Sequence, residues 1–477
     1  MEYEILFLSC AKTGKIRYFC QLMDGASAIP NLKVQVNNRQ ILSIAMPITL
    51  AILIPQLNML TNSIFLGRLS TEALGDAGIT SVFYLIFAVM GNGLNNSMQS
   101  VFSKYAGADK PEFFKIIFSQ GLRLSVQFAV AGILFTWLVA PYIMQAVADP
   151  RAYPVEMNFL RIRIFGLPFL FFFQMCNAFL VATLNSRYLM IGFIMEACCN
   201  IFFDYGLIFG KMGMPAMGFN GAAVASIIAE AIGMFTVIAV LYATHLKKQY
   251  GIKFSFTYHR NIHKEVLRVS VPLVLQYFIS VTTWLVFFLL IERHGEMAKA
   301  ISNTMRNVFG LAGVFVWAFA ATSNNMVSNL IGQQKPELVL KAINRIMLWS
   351  LGFAIFICGT LNLYPQLFFG MFGQGPEFIK EGIPVIRTVT LGIVFMSVSC
   401  VWLNAVTGTG KTKMNLAIEL VAISLYMAYT WYFLVVNYIN LATAWTNEFI
   451  YWLSILLMAS WYMRSKRWVK QKVVADE

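Results

Sequence analysis

Charge is what this sequence has least of. Asp, Glu, Lys and Arg make up 12% of its 477 residues, about half the share usual in a soluble domain. That shortage excludes a string of soluble domains, which the length alone would allow. Histidine is scarcer still. The four in the chain fall at helix ends or in loops, so an intramembrane histidine relay is excluded. No Ser/His/Asp or Cys/His arrangement stands out and no H-E-x-x-H occurs, so nothing marks an enzyme. The seven cysteines (Cys10, Cys20, Cys176, Cys198, Cys199, Cys358, Cys400) are odd in number and lack metal-ligand spacing; they read as small apolar side chains. His259-x-x-x-His263 has helical metal spacing but sits in a basic loop without acidic neighbours, and no metal site is expected there. The first residues also lack the basic start and long apolar core of a cleavable signal, since Glu2 and Glu4 lead and Ile5–Leu8 is short.

What is present is apolar length. Hydrophobic residues make up 58% and the mean hydropathy is +0.66, the composition of a membrane protein. Candidate spans fall near 41–66, 76–102, 115–140, 160–183, 188–210 and 219–243, then 266–291, 300–330, 343–368, 385–407, 414–436 and 441–463. An even number of helices puts both termini on one side. Lys and Arg on the terminal side outnumber those opposite by more than two to one, which predicts cytoplasmic termini in a bacterial inner membrane. The net charge of +14 is thereby assigned to topology and lipid headgroups, and no nucleic-acid partner is expected.

The expected organisation is a cytoplasmic leader at 1–38, a six-helix bundle at 39–246, a basic linker at 247–265, a second bundle at 266–463 and a basic tail at 464–477. The halves repeat at an offset of 225 residues. Pro47 aligns with Pro272, Arg68 with Arg293, Gly107 with Gly332, and Lys110-Pro111-Glu112 with Lys335-Pro336-Glu337. Six helices per half preserve orientation, so the repeat is parallel, with an axis along the membrane normal. Such repeats place a substrate site between two bundles near the midplane. The fold class is therefore an all-α polytopic membrane protein, with twelve transmembrane helices in two parallel-repeat six-helix bundles. Pro47, Pro55 and Pro272 interrupt spans, as hinges or as ordinary kinks.

Polar residues inside the spans carry the chemistry. Glu196, Asn200 and Asp204 recur at intervals of four and share one helix face. A carboxylate at mid-bilayer costs on the order of 3 kcal/mol or more, so it marks an ion, proton or substrate path by default. Asp204 lies deep and has no repeat counterpart. It suits proton exchange, or, with amide oxygens from Asn200 and Asn62, a bare cation such as Na⁺. Glu196 and Glu419 lie nearer helix starts and read as structural partners of basic loop residues. A stripe of Asn92, Asn95, Asn96 and Gln99 on the second span, with Gln56, Asn58 and Asn62 on the first, is either interhelical glue or a wetted cavity wall. Ala405-Val-Thr-Gly408-Thr-Gly410-Lys411-Thr412 looks like a phosphate-binding loop, but its first glycine is missing and it reads as a turn.

Taken in order, several motifs resemble the multidrug and toxic compound extrusion (MATE) family over nearly all of residues 41–436. They are Ala45-Met46-Pro47; Asn62-Ser-Ile-Phe-Leu-Gly67-Arg-Leu with Glu72-Ala-Leu; Tyr105-Ala-Gly107-Ala-Asp109; Leu160-Arg-Ile-Arg-Ile-Phe-Gly166-Leu-Pro168; Gly218-Phe-Asn-Gly221-Ala-Ala-Val-Ala-Ser226; and Thr407-Gly-Thr-Gly-Lys-Thr412. The resemblance implies two bundles around a V-shaped cavity and antiport of drug-like, often cationic compounds against Na⁺ or H⁺. The DinF-like branch uses an Asn-x-x-x-Asp on the fifth helix in a cation site, which Asn200 and Asp204 match. Ser226 stands where that branch often has a sixth-helix Thr. Two departures stand out: Asn62 replaces the usual first-helix Asp, and Thr282 and Met396 occupy the places where NorM-like members carry acids, so the second bundle is expected to lack an acidic site.

The sequence therefore predicts a monomeric ion-coupled exporter of small organic compounds with no cofactor beyond the coupling ion. Asp204, Asn200, Asn62, Glu196 and Ser226 are its coupling residues. Gln56, Asn92, Asn96, Gln99, Gln276, Thr282 and Trp284 are its cavity lining. A lipid-linked saccharide flippase and a membrane-bound transferase are the alternative readings.

Overall fold

The computed structural model describes residues 31–147, 150–370 and 375–469. The leader and tail expectations for 1–30 and 470–477 lie outside those residues. Among the described residues twelve long helices follow one another: α1 Asn38–Leu69, α2 Thr71–Gly107, α3 Phe114–Leu138, α4 Tyr153–Ala182, α5 Leu189–Phe209 and α6 Phe219–Ala243. The second set is α7 Arg260–Glu292, α8 Glu296–Gly332, α9 Val339–Leu363, α10 Pro376–Gly408, α11 Thr412–Trp431 and α12 Asn447–Arg464. Among the described residues, ten helices are long and apolar enough to cross a membrane; α2 and α12 fall outside that set.

Several helices outlast their expected spans. At 37 residues, α2 and α8 are roughly 55 Å long, well beyond an apolar core of about 30 Å. Hydropathy marks only the part of a helix that lipid touches, so it misses such extensions. The prolines do not interrupt: α1 runs through Pro47 and Pro55, α7 through Pro272 and α10 through Pro384. At the other extreme α12 starts later than expected, because a separate short helix, Leu441–Ala444, is capped by Asn440 and precedes it.

The repeat is visible in backbone detail. Lys110-Pro111 and Lys335-Pro336 each open a single 3₁₀ turn, Pro111–Phe113 and Pro336–Leu338. Each turn follows a residue held at positive φ, Asp109 at 60° and Gln334 at 58°. Helices α2 and α8 cross where these turns begin, in direct backbone contact. A Cβ on Gly107 would lie 2.0 Å from the Asn329 carbonyl oxygen, and one on Gly332 would lie 2.1 Å from that of Lys104. Only glycine permits either approach.

Paired hydrogen bonds surround the crossing. Gln99 Nε2 donates to the Ala321 carbonyl and Asn324 Nδ2 to that of Asn96, both at 2.8 Å. Ser103 Oγ donates to Asn325 Oδ1 at 2.9 Å, and Ser328 Oγ to Ser100 Oγ at 3.1 Å. Each bond has its mate under exchange of the halves. Lys104 adds an ion pair to Glu265 of α7 at 2.9 Å.

Two extended segments tie the same end together. Before α1, Leu32 and Val34 are buried, while Asn31, Lys33 and Gln35 point out, the alternation of an extended chain. Asn329 accepts from the Val34 amide at 3.0 Å and donates to the Leu32 carbonyl at 2.9 Å, and Arg345 of α9 donates to Val36 O. Before α7, the linker carbonyls of Ser255, Phe256 and Thr257 accept from Ser119, Arg123 and Gln120 of α3. The entry to each half is thus held by the other half.

Candidate functional site

A buried polar cluster between α1 and α5 begins from aromatic packing. Phe65 of α1 meets Tyr205 and Phe209 of α5 with ring centroids 6.4 and 6.1 Å apart. Both helices run the same way along the repeat, so this register sets Asn62 near the level of Asp204, and Asn58 near Asn200. Asp204 is fully buried and Asn200 nearly so. Both Asp204 oxygens, Asn200 Nδ2, Asn62 Oδ1 and Asn58 Oδ1 are buried polar atoms without a hydrogen-bond partner among the described residues. Buried polar groups are nearly always satisfied, so five such atoms at matched levels point to a bound species. Four oxygens, two from the carboxylate and two from amides, fit a monovalent cation; a proton on Asp204 would satisfy it alone. Asn58 belongs to this group, although the sequence named it only as part of a stripe.

Glu196 lies two turns from Asp204 and packs against α6, where a Cβ on Gly233 would approach its Oε2 to 3.1 Å. No ion pair joins it to a basic loop residue among the described residues, which corrects the structural role expected of it. Ser226 is half-buried on α6. Gly221 meets the Leu207 backbone and Gly233 meets Glu196, and that antiparallel register sets Ser226 close to the level of Asp204.

Next to this cluster stands a pair that sequence reasoning did not assemble. Arg163 of α4 grips Glu230 of α6 through both guanidinium ends, at 2.9 and 2.5 Å. Tyr84 of α2 donates to Glu230 at 3.0 Å, and the guanidinium lies 3.6 Å from its ring centre. Gly166 makes room, since a Cβ there would come within 2.1 Å of Glu230 Oε2. Arg163 is within electrostatic reach of both Asp204 and Glu196. With its charge matched by Glu230, however, those two carboxylates have no cation of their own. An Arg and a Glu in the fourth and sixth spans was the available signal.

The second half corrects another expectation. It does hold buried acids, Glu419 on α11 and Glu448 on α12. Glu419 is not paired with a basic loop residue; Ser280 Oγ, Tyr451 OH and Gln276 Nε2 donate to it. Glu448 accepts from Trp452 Nε1 at 2.9 Å. Thr282 bonds back to its own helix at Phe278 O, and Met396 is buried, so neither serves as the acid's replacement.

The expected cavity lining divides. Gln99 and Gln276 are buried and spent on internal bonds, so they do not line a cavity, and Asn96 reaches Tyr277 OH across the halves at 2.6 Å. Gln99 and Asn96 are glue because α2 packs against α8 and α7 of the opposite half, whereas Gln276 bonds within its own half to Glu419 and Asn415. Asn92 is exposed and accepts from Gln174 at 3.2 Å, while Gln56 faces α8 beside Gly310. Trp284 is half-buried, with its ring 4.6 Å from that of Phe288. His259 and His263 form no metal cluster, and no group of three or more His, Cys, Asp or Glu with that geometry occurs among the described residues.

Twelve helices in two related sets, joined by a glycine crossing and holding uncompensated carboxylates inside, define a polytopic membrane transporter. The MatE family model matches residues 47–206 and 272–432, one block in each half, and the chain belongs to that family. It is 22% identical over 400 residues to the probable multidrug resistance protein NorM of Thermotoga maritima, covering 83% of this chain and 85% of that one. The corresponding protein of Synechocystis is 24% identical, with 82% and 86% covered. Among solved structures, an outward-facing multidrug resistance MATE family transporter matches with a TM-score of 0.83 at 17% identity, over 92% of this chain and 97% of that one. A MOP superfamily transporter from Pyrococcus furiosus, described with a binding pocket of reversed polarity, matches at 0.81 and 16%, over 93% and 99%.

Proposed function

We propose that this protein exports drug-like, often cationic organic compounds in exchange for Na⁺ or H⁺, with Asp204 as the coupling group. The observation that supports it most is the buried Asp204 carboxylate, which with Asn58 Oδ1, Asn62 Oδ1 and Asn200 Nδ2 has no hydrogen-bond partner among the described residues. Membership in the MatE family and the multidrug-resistance names of its relatives support the substrate class. The protein works as a monomer in a bacterial inner membrane, and its substrates enter from the lipid or the cytoplasm.

With both termini cytoplasmic, as the excess of Lys and Arg on that side predicts, the glycine crossing is the closed inner gate. The carboxylate then faces outward and takes up its cation. Neutralised, it no longer resists transfer into a drier surrounding, and α1 and α5 repack. Repacking expels the organic compound and opens the inner end, where the ion leaves and a new compound binds. The resident residues do this by charge balance: Arg163 with Glu230 stays neutral throughout, so one ion on Asp204 changes the net charge of the bundle. No observation favours the flippase or transferase reading.

Dye efflux in inverted vesicles, with a Na⁺ or a pH gradient imposed separately, tests the reading and identifies the ion. Asp204→Asn is expected to abolish gradient-driven efflux while the protein remains folded in the membrane. Efflux at the wild-type rate in that variant would overturn it.

A further inference from the structure

The carboxylate of Glu419 lies in the second half, where the sequence assigned it only a structural role, and its surroundings differ from those of Asp204. Asp204 has orphaned oxygens, whereas Glu419 is ringed by donors. Ser280 Oγ and Tyr451 OH donate to the same oxygen, and Gln276 Nε2 donates to the other at 3.2 Å. Gln276 turns its carbonyl away to Asn415, which also donates to Thr407 Oγ1 at 2.6 Å. Donors rather than acceptors face the carboxylate, which disfavours a metal cation. Glu419 is also 1% exposed.

No lysine, arginine or histidine among the described residues forms an ion pair with Glu419. The titratable groups that face it are Tyr277 on α7, Cys400 on α10 and Tyr451 on α12. Beyond Tyr451 stand Tyr426 of its own helix, with ring centroids 5.6 Å apart, and Glu448. All of these are neutral or acidic, so nothing supplies a compensating positive charge.

We propose that Glu419 is a second proton-binding site, one that takes a proton reversibly and reports it to the contact between the halves. The inference rests on the ion-coupled reading above. A proton from water adds to a Glu419 oxygen and forms one O–H bond. The new O–H needs an acceptor, so one of the Ser280 and Tyr451 hydroxyls must reverse from donor to acceptor; Ser280 has the Gln276 backbone carbonyl at 3.0 Å to take its own proton instead. Ser280 and Gln276 lie on α7, which meets α2 of the other half through Tyr277 with Asn96 at 2.6 Å and Ser270 with Ser97 at 2.8 Å. Polar contacts also lead from Asn415 through Thr407, whose carbonyl accepts from Ser100, to the crossing of α2 and α8. Protonation thus changes the hydrogen bonds of a helix that holds the two halves together.

Infrared difference spectroscopy of the purified full-length protein, titrated from about pH 5 to about pH 10, reads buried carboxylic acids by their C=O stretch. Glu419→Gln is expected to delete one band that wild type gains on acidification, and Asp204→Asn a different one. Spectra of Glu419→Gln indistinguishable from wild type would overturn the proposal. Tyr451→Phe and Ser280→Ala cover the case in which Glu419→Gln does not fold. Each is expected to keep the band and move it to higher wavenumber through loss of a donor, and unmoved bands would overturn it. Vesicle efflux separates the two readings. A titrating Glu419 band with efflux blind to both gradients refutes ion coupling alone, and gradient-driven efflux with no such band refutes only this inference.

Discussion

Replacing Gly107 or Gly332 with alanine puts a methyl group where a backbone carbonyl already sits. The Cβ would lie 2.0 Å from Asn329 O in the first case and 2.1 Å from Lys104 O in the second. Ordinary contact needs about 3.4 Å, so α2 and α8 must separate by roughly 1.4 Å at the crossing. Overpacking of this kind costs about 1–3 kcal/mol, and the flanking interhelical hydrogen bonds are worth about 0.6 kcal/mol each if stretched. A total of about 2–4 kcal/mol lowers the ratio of closed to open crossing roughly 30- to 1,000-fold. The assay is labelling by a membrane-impermeant maleimide of a cysteine placed at Ser328, which is fully buried, with the native cysteines replaced. Both alanine variants are expected to label much faster than the parent, and to a similar degree, because the contacts are related by the repeat. Labelling of both within twofold of the parent, in folded protein, would refute the crossing as a gate.

Glu230→Gln removes the counter-charge of Arg163 and is expected to destabilise the protein by about 3–5 kcal/mol, read as a lowered melting temperature. The double change Arg163→Met with Glu230→Met is expected to lose less than the single one, and a double variant less stable than Glu230→Gln would contradict this. Asn329→Ala removes both bonds that hold Leu32 and Val34, and hydrogen exchange at the Val34 amide is expected to quicken 5- to 100-fold, about 1–3 kcal/mol. Asn58→Leu strips one amide from the Asp204 cluster. If Na⁺ drives transport, its half-saturating Na⁺ concentration is expected to rise several-fold; if H⁺ drives it, efflux is expected to change little.

The helices and their repeat could be read from the sequence because apolar length and the 225-residue offset are local properties. Asp204 and Asn200 were legible for the same reason, as a helical period places them on one face. Which face meets which neighbour is a tertiary fact, and there the reading fell short. Arg163 and Glu230 lie 67 residues apart and meet because Gly166 clears the space between α4 and α6. Glu419 looked like a helix-start acid, but α11 enters the core at once and turns it toward Ser280, Gln276 and Tyr451. The amides of α2 were correctly noticed and half misassigned, since lining a cavity and joining two halves need the same residue types. Only the crossing of α2 and α8 separates the two uses.

That crossing also carries a record of descent. Gly107 and Gly332 each contact the same site on the opposing helix, and each flanking hydrogen bond has a mate under exchange of the halves. This is the self-complementary pattern of an isologous dimer, in which one patch meets its own copy across a two-fold axis. A single six-helix ancestor pairing with itself would have made each contact twice, and fusion through the basic linker would have kept them. Gln99 and Asn324 now differ in kind yet still donate to equivalent carbonyls. The bond is thus common to the two halves where the residue that makes it is not.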